Sequence, residues 1–292
     1  MTEAISARPK VFSATPVLFD REGEVHIDEV HRLHAGLATA GLDGMFVAGT
    51  TGEFLALDDN ERLRVFETAA HAAGPEAVIG HVGAASGRQA VRLTRSARRL
   101  GLRRLAAITP FYLRAEPEQI LRYYAEIAEA AEGAELFVYA FEAVTNNPVP
   151  AELLAELAKL PGISGVKLSG VQGTELISAY AAATPDGFTV LSGNDRDLAD
   201  VVRAGGSGVV SGVSAALPEP FVRLAEAVLS GDAEAERHAQ RRVDEAVGAI
   251  GANIAALKSA LGVRGFPESC RMPIASPAES QRARIRELME NP

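Results

Sequence analysis

The sequence predicts an α/β fold, a closed (β/α)8 TIM barrel with additional C-terminal helices, and three observations predict it. Short apolar runs rich in β-branched residues alternate with longer amphipathic segments, giving eight strand candidates. The runs start roughly 20 to 33 residues apart, the length of one βα unit. No glycine-rich nucleotide fingerprint follows the first run, which disfavours the competing open, doubly wound sheet. A chain of 292 residues is long for one domain, but barrels of about 250 residues fold as single units. Its 47% apolar content fills a large core, built from Ala, Leu, Val and Ile because aromatic residues are 5% and Trp is absent.

The strands are predicted at residues 11–17, 44–50, 77–82, 105–109, 136–140, 164–168, 189–192 and 208–213. The helices between them carry start and stop signals. Asp58-Asp59-Asn60-Glu61 has the form of a capping box, and Glu116-Pro117-Glu118 and Val149-Pro150-Ala151-Glu152 place proline and acids in a first turn. Gly41, Gly74 and Gly101 stand where left-handed helix ends are expected. After the eighth strand, residues 218–229 supply the closing helix, and residues 233–261 and 277–289 read as two further helical stretches joined by a loop over 262–277. The expected organisation is a catalytic barrel over 1–230 and a helical extension over 231–292 packed on it as one structural unit.

The net charge of −9 argues against a nucleic-acid partner, since phosphate contacts favour a basic surface. No apolar stretch has signal-peptide or membrane-span character, so a cytoplasmic protein is expected. Cys270 is the single cysteine, which rules out an internal disulfide. There is no Walker-type loop and no H-E-x-x-H motif. His26, His31 and His34 surround the first helix and are read as surface residues, whereas His81 ends the third strand.

In such barrels the chemistry sits at the C-terminal ends of the strands. Lys and Arg together number 29, and only four of these are lysines: Lys10, Lys159, Lys167 and Lys258. Lys167 alone lies in an apolar strand, within Gly165-Val166-Lys167-Leu168. Apolar surroundings lower a lysine's pKa and free the amine to attack a ketone, after which the imine withdraws electrons from the adjacent carbon. The same placement also suits a core ion pair. Gly49-Thr50-Thr51-Gly52-Glu53 after the second strand reads either as an anion cradle or as a tight turn that satisfies its own backbone. Tyr139 reads as a proton relay or as a core aromatic with a wet tip, and Tyr112 as a catalytic, packing or interface residue. Gly205-Gly206-Ser207-Gly208 falls at the opposite face, while Gly212-Val213-Ser214 is better placed to meet a ligand.

Taken together, Gly49-Thr50-Thr51-Gly52-Glu53, Thr109-Pro110-Phe111-Tyr112, Tyr139 and Gly165-Val166-Lys167 resemble the dihydrodipicolinate synthase/N-acetylneuraminate lyase family of class I aldolases, over essentially the whole chain. The resemblance implies that Lys167 forms an imine with pyruvate or a related 2-keto acid, without a metal or external cofactor. It implies that Tyr139 transfers protons, that Thr50 links Tyr139 to Tyr112, and that Tyr112 crosses from a neighbouring subunit. Thr51 and the backbone around Gly49 and Gly52 would hold the keto-acid carboxylate, with Ser192, Gly193, Val210 and Ser211 completing the substrate site. A homotetramer or homodimer is expected. The sequence also departs from the family. Ala140 and Glu142 replace the usual Asn and Pro, Gly80-His81-Val82-Gly83 replaces a Gly-Thr-Gly segment, and Val144 stands where the synthases carry an Arg for the carboxylate of the aldehyde. The leading expectation is an aldolase or lyase for a keto-deoxy sugar acid. The alternatives are 4-hydroxy-tetrahydrodipicolinate synthase, a dehydratase using the same imine, and a keto-acid-binding protein without activity.

Overall fold

Strands buried on both faces read as nearly continuous apolar runs, and those runs become the eight strands of a closed parallel barrel in chain order. They are β1 (Lys10–Ala14), β2 (Gly44–Val47), β3 (Val78–His81), β4 (Arg104–Ile108), β5 (Glu135–Ala140), β6 (Ile163–Leu168), β7 (Thr189–Ser192) and β8 (Gly208–Ser211). The structure is a computed structural model that describes residues 8–290. The helices are α1 (Ile27–Ala38), α2 (Asp59–Ala73), α3 (Gly87–Arg99), α4 (Pro117–Ala130), α5 (Glu142–Thr145), α6 (Ala151–Leu157), α7 (Glu175–Ala183), α8 (Leu198–Arg203), α9 (Glu219–Ser230), α10 (Ala233–Ile250), α11 (Ile254–Val263) and α12 (Glu279–Glu290). Two compact units are distinguished, residues 8–77 with 211–290, and residues 78–210.

The local signals act as expected. Asp58 accepts from the Glu61 amide while Glu61 reaches back to the Asp58 amide, a complete capping box on α2. Glu116 and Gln119 do the same for α4, with Pro117 in its first turn. Gly41, Gly74 and Gly101 all have positive φ, where a side chain would be strained.

Three features differ from the sequence reading. Residues 233–261 are two helices, α10 and α11, bent by 107° at the break. Gly251 ends α10 at φ 69°, and the Asn253 side chain then accepts from the amides of Ala255 and Ala256, so a new helix starts in a new direction. One extra turn of helix, α5, follows β5. Finally, His34 is buried inside α1 and its Nε2 lies 3.2 Å from Thr15 Oγ1. No single helix among the described residues is long and apolar enough to cross a membrane.

Candidate active site

In the unit spanning 78–210, strand pairing brings Tyr139 and Lys167 together. They are register partners on β5 and β6, so their side chains leave the same face of the sheet. Lys167 is 5% exposed, and its Nζ lies 4.2 Å from the centre of the Tyr139 ring. The ring itself is buried, met edge-on by His81 at 5.9 Å and at a 30° tilt by Phe141 at 6.1 Å. His81 Nε2 accepts the Ile108 amide at 3.2 Å, which assigns the neutral ring's proton to Nδ1. Gly83 makes room for this arrangement: a β-carbon there would stand 2.5 Å from the Ile108 nitrogen and 2.8 Å from His81 Nε2. An amine and a phenol held against each other in a buried site have the elements of imine chemistry with proton transfer.

The other candidates in this unit are placed differently. Tyr112 is 89% exposed and its backbone is left-handed, at φ 79°. The loop that carries it is fastened by Asn147, whose Nδ2 donates to the Pro110 and Leu113 carbonyls at 2.8 and 3.0 Å and whose Oδ1 accepts the Ala115 amide at 2.7 Å. Thr145 adds a hydroxyl contact to Thr109 at 3.0 Å. Ser192 Oγ accepts the Asn194 amide at 3.0 Å and so shapes its own turn. Gly193 donates to the Leu168 carbonyl, and a β-carbon on it would collide with Ser169 Oγ. Val210 is buried at the end of β8. Val144 is exposed on α5.

In the unit formed by 8–77 and 211–290, the turn after β2 is tightly determined. The Glu53 amide donates to the Thr50 carbonyl at 3.0 Å and the Phe54 amide to that of Gly49 at 3.3 Å. Side chains at Gly49 or Gly52 would meet Phe46 at 2.7 Å or the Ala48 backbone at 3.0 Å. Ser211 Oγ accepts the Ser214 amide at 3.0 Å, and a β-carbon on Gly212 would lie 3.6 Å from Thr51 Oγ1. Glu53 and Lys258 form a fully buried ion pair at 2.6 Å. Burial pulls the Lys258 ammonium below the usual lysine range, partly opposed by its hydrogen bond to Glu53. Neither this pair nor Asn147 stood out in the sequence. For Lys258 the signal was present, as the one charge in the apolar stretch Ile254–Val263. Among the described residues, no group of three or more His, Cys, Asp or Glu is arranged to hold a metal ion.

Comparison with known proteins identifies relatives in sequence and in fold. The profile of the Dihydrodipicolinate synthetase family matches residues 8–291. A 4-hydroxy-tetrahydrodipicolinate synthase of Symbiobacterium thermophilum is 30% identical over 92% of this chain and 92% of its own. A sialic acid aldolase of Ruminococcus gnavus, a catalytic lysine mutant, superposes with a TM-score of 0.90 at 23% identity, over 97% of this chain and 95% of its own. YagE, an E. coli K12 prophage protein of the dihydrodipicolinic acid synthase family in complex with pyruvate, gives 0.89 at 22% identity, over 97% and 98%.

Proposed function

The chain belongs to the dihydrodipicolinate synthetase family, and from that premise we propose that Lys167 is the imine-forming residue of a carbon–carbon lyase acting on a keto-deoxy sugar acid. The class I, Schiff-base aldolase chemistry is that of the family. The observation that carries the residue assignment is the buried contact between Lys167 Nζ and the Tyr139 ring, on paired strands.

In the proposed reaction the Lys167 amine adds to C2 of the keto acid to form a carbinolamine; the Tyr139 phenol protonates the departing hydroxyl, and loss of water leaves a protonated imine and a Tyr139 phenolate. Tyr139 takes the proton of the C4 hydroxyl as the C3–C4 bond breaks, and the electron pair passes into the imine to form an enamine. The aldehyde departs, C3 of the enamine takes the proton that Tyr139 holds, and water adds to the imine carbon, returning a proton to Tyr139, before the carbinolamine collapses to free the Lys167 amine and release pyruvate. Thr51 and nearby backbone amides of the turn hold the substrate carboxylate, the Glu53 amide being engaged by the Thr50 carbonyl. Thr50 links Tyr139 to Tyr112, and Gly52, Ser192, Gly193, Val210 and Ser211 line the remaining substrate site. Tyr112 reaches the site of a second copy in a cytoplasmic homotetramer or homodimer. Its 89% exposure supports that reading.

Pyruvate with borohydride should add irreversible mass at Lys167, and Lys167→Ala should abolish it. Mass at Lys10, Lys159 or Lys258 instead would refute the assignment. The second reading, 4-hydroxy-tetrahydrodipicolinate synthase, is favoured by the Symbiobacterium relative. It is opposed by Val144, whose side chain offers an incoming carboxylate no donor. Measured kcat/KM for aspartate semialdehyde should fall below that for hydroxylated aldehydes or keto-deoxy sugar acids. A value well above that whole panel would restore the synthase reading.

A further inference from the structure

Glu53 closes the turn that begins at Gly49, and it does so with a left-handed backbone, at φ 53°. Ala48, just before the turn, is left-handed too, at φ 51°. Residues with a β-carbon adopt this conformation only where their surroundings over-determine it. For Glu53 those surroundings come from the C-terminal segment. One carboxylate oxygen accepts from Lys258 Nζ at 2.6 Å, and the other accepts the Met272 amide at 2.7 Å. Lys258 Nζ also donates to the Ser269 carbonyl at 2.7 Å and lies 4.3 Å from the centre of the Phe19 ring. Both charged side chains are 0% exposed.

A buried ion pair adds little to stability, because removing both charges from water offsets their attraction. It does fix geometry, since each charge accepts few alternative positions. Here it fixes a turn carrying two adjacent hydroxyls, Thr50 and Thr51, between Gly49, where a β-carbon would stand 2.7 Å from the Phe46 ring, and Gly52, where it would press on the Ala48 backbone at 3.0 Å.

We propose that Glu53 and Lys258 are positioning residues for the substrate carboxylate: the pair sets the Gly49–Glu53 turn so that Thr51 and the turn amides bind a keto acid. The inference rests on the role proposed above for Thr51. Neither residue is catalytic, and the pair makes α11 and the segment 269–272 part of the substrate-binding machinery.

The test is borohydride trapping at Lys167 in the full chain, titrated with pyruvate and, separately, with hydroxyacetone, a ketone without a carboxylate. Lys258→Met and Glu53→Asp should each raise half-saturating pyruvate by about 10- to 100-fold, the scale of a small misplacement transmitted to a site. Half-saturation by hydroxyacetone should be unchanged. Glu53→Asp keeps the charge balance of the pair, and keeps the test readable should Lys258→Met fail to fold. Variants that melt at lower temperature yet take pyruvate as the wild type does would overturn the inference and leave Lys167 in place. Equal losses for pyruvate and hydroxyacetone would overturn it as well. A wild type that traps neither ketone at Lys167 would overturn the site assignment, and this inference with it.

Discussion

Tyr139 is oriented before substrate arrives, by the edge of His81, the tilted ring of Phe141 and the amine of Lys167. Tyr139→Phe keeps that packing and removes only the hydroxyl. It should lower turnover by about 10²-fold or more, the usual scale for a positioned acid–base group, while imine trapping at Lys167 survives at least in part. Full turnover in this variant would sink the proton-transfer role. His34 makes a separate prediction, about stability. Burial, helped by the nearby His31, pulls its imidazole from the usual 6.5 down to about 3. The unfolded chain therefore takes up a proton at a pH where the folded chain does not. The contribution is fully present above the unfolded value and is lost as pH falls towards the folded one, at about 1.4 kcal/mol per pH unit. His34→Gln cannot take up this proton, so urea unfolding at pH 7 and pH 5 should show a shallower loss for the variant than for the wild type. Identical slopes would remove His34 from the account of acid sensitivity.

At the level of elements, α5 and the loop that Asn147 fastens just beyond it separate what could be read in the sequence from what could not. Val144, which stands where the synthases carry an Arg, occupies an exposed position on this single turn. Val144→Arg should raise kcat/KM for aspartate semialdehyde by about 10- to 150-fold, since a charge-assisted hydrogen bond is worth roughly 1.5–3 kcal/mol. No gain would mean that this position does not meet the second substrate. The strands were legible because a parallel strand buried on both faces is a run of apolar residues, and Lys167 interrupts one such run; their ends were less so, since β1, β2 and β8 stop at Ala14, Val47 and Ser211, two or three residues before the predicted ends. The caps of α2 and α4 were legible because their partners lie three residues apart. Asn147 was not, because its bonds go to backbone groups more than thirty residues away, at Pro110, Leu113 and Ala115. The α10–α11 break was missed because apolar patterning continues through it, although Gly251 and Asn253 were visible. Lys258 is as scarce a residue type as Lys167, but its place on a helix and a partner 205 residues away, Glu53, hid its role.

For the whole molecule, the exposed loop after β4 bears on assembly. Tyr112 is 89% and Leu113 73% exposed, on a backbone that Asn147 holds fixed. Large apolar side chains presented rigidly to water are suited to burial by another chain. Sedimentation velocity should give a species of two or four chains of 30.7 kDa. Tyr112→Ala should lower turnover by about 10²-fold if its hydroxyl serves the relay of a second copy. A fully active species of 30.7 kDa would overturn both the assembly and the shared relay.

The distribution of lysines has a practical consequence for chemical biology. Lys10 and Lys159 are exposed, whereas Lys167 and Lys258 are buried. An acylating reagent applied to the folded chain should therefore consume the two outer amines first, and leave the inner two unblocked. Because arginine carries most of the positive charge, the protein can be immobilised or dye-tagged through two defined lysines besides the α-amine, with the amine proposed for catalysis still available to a keto acid.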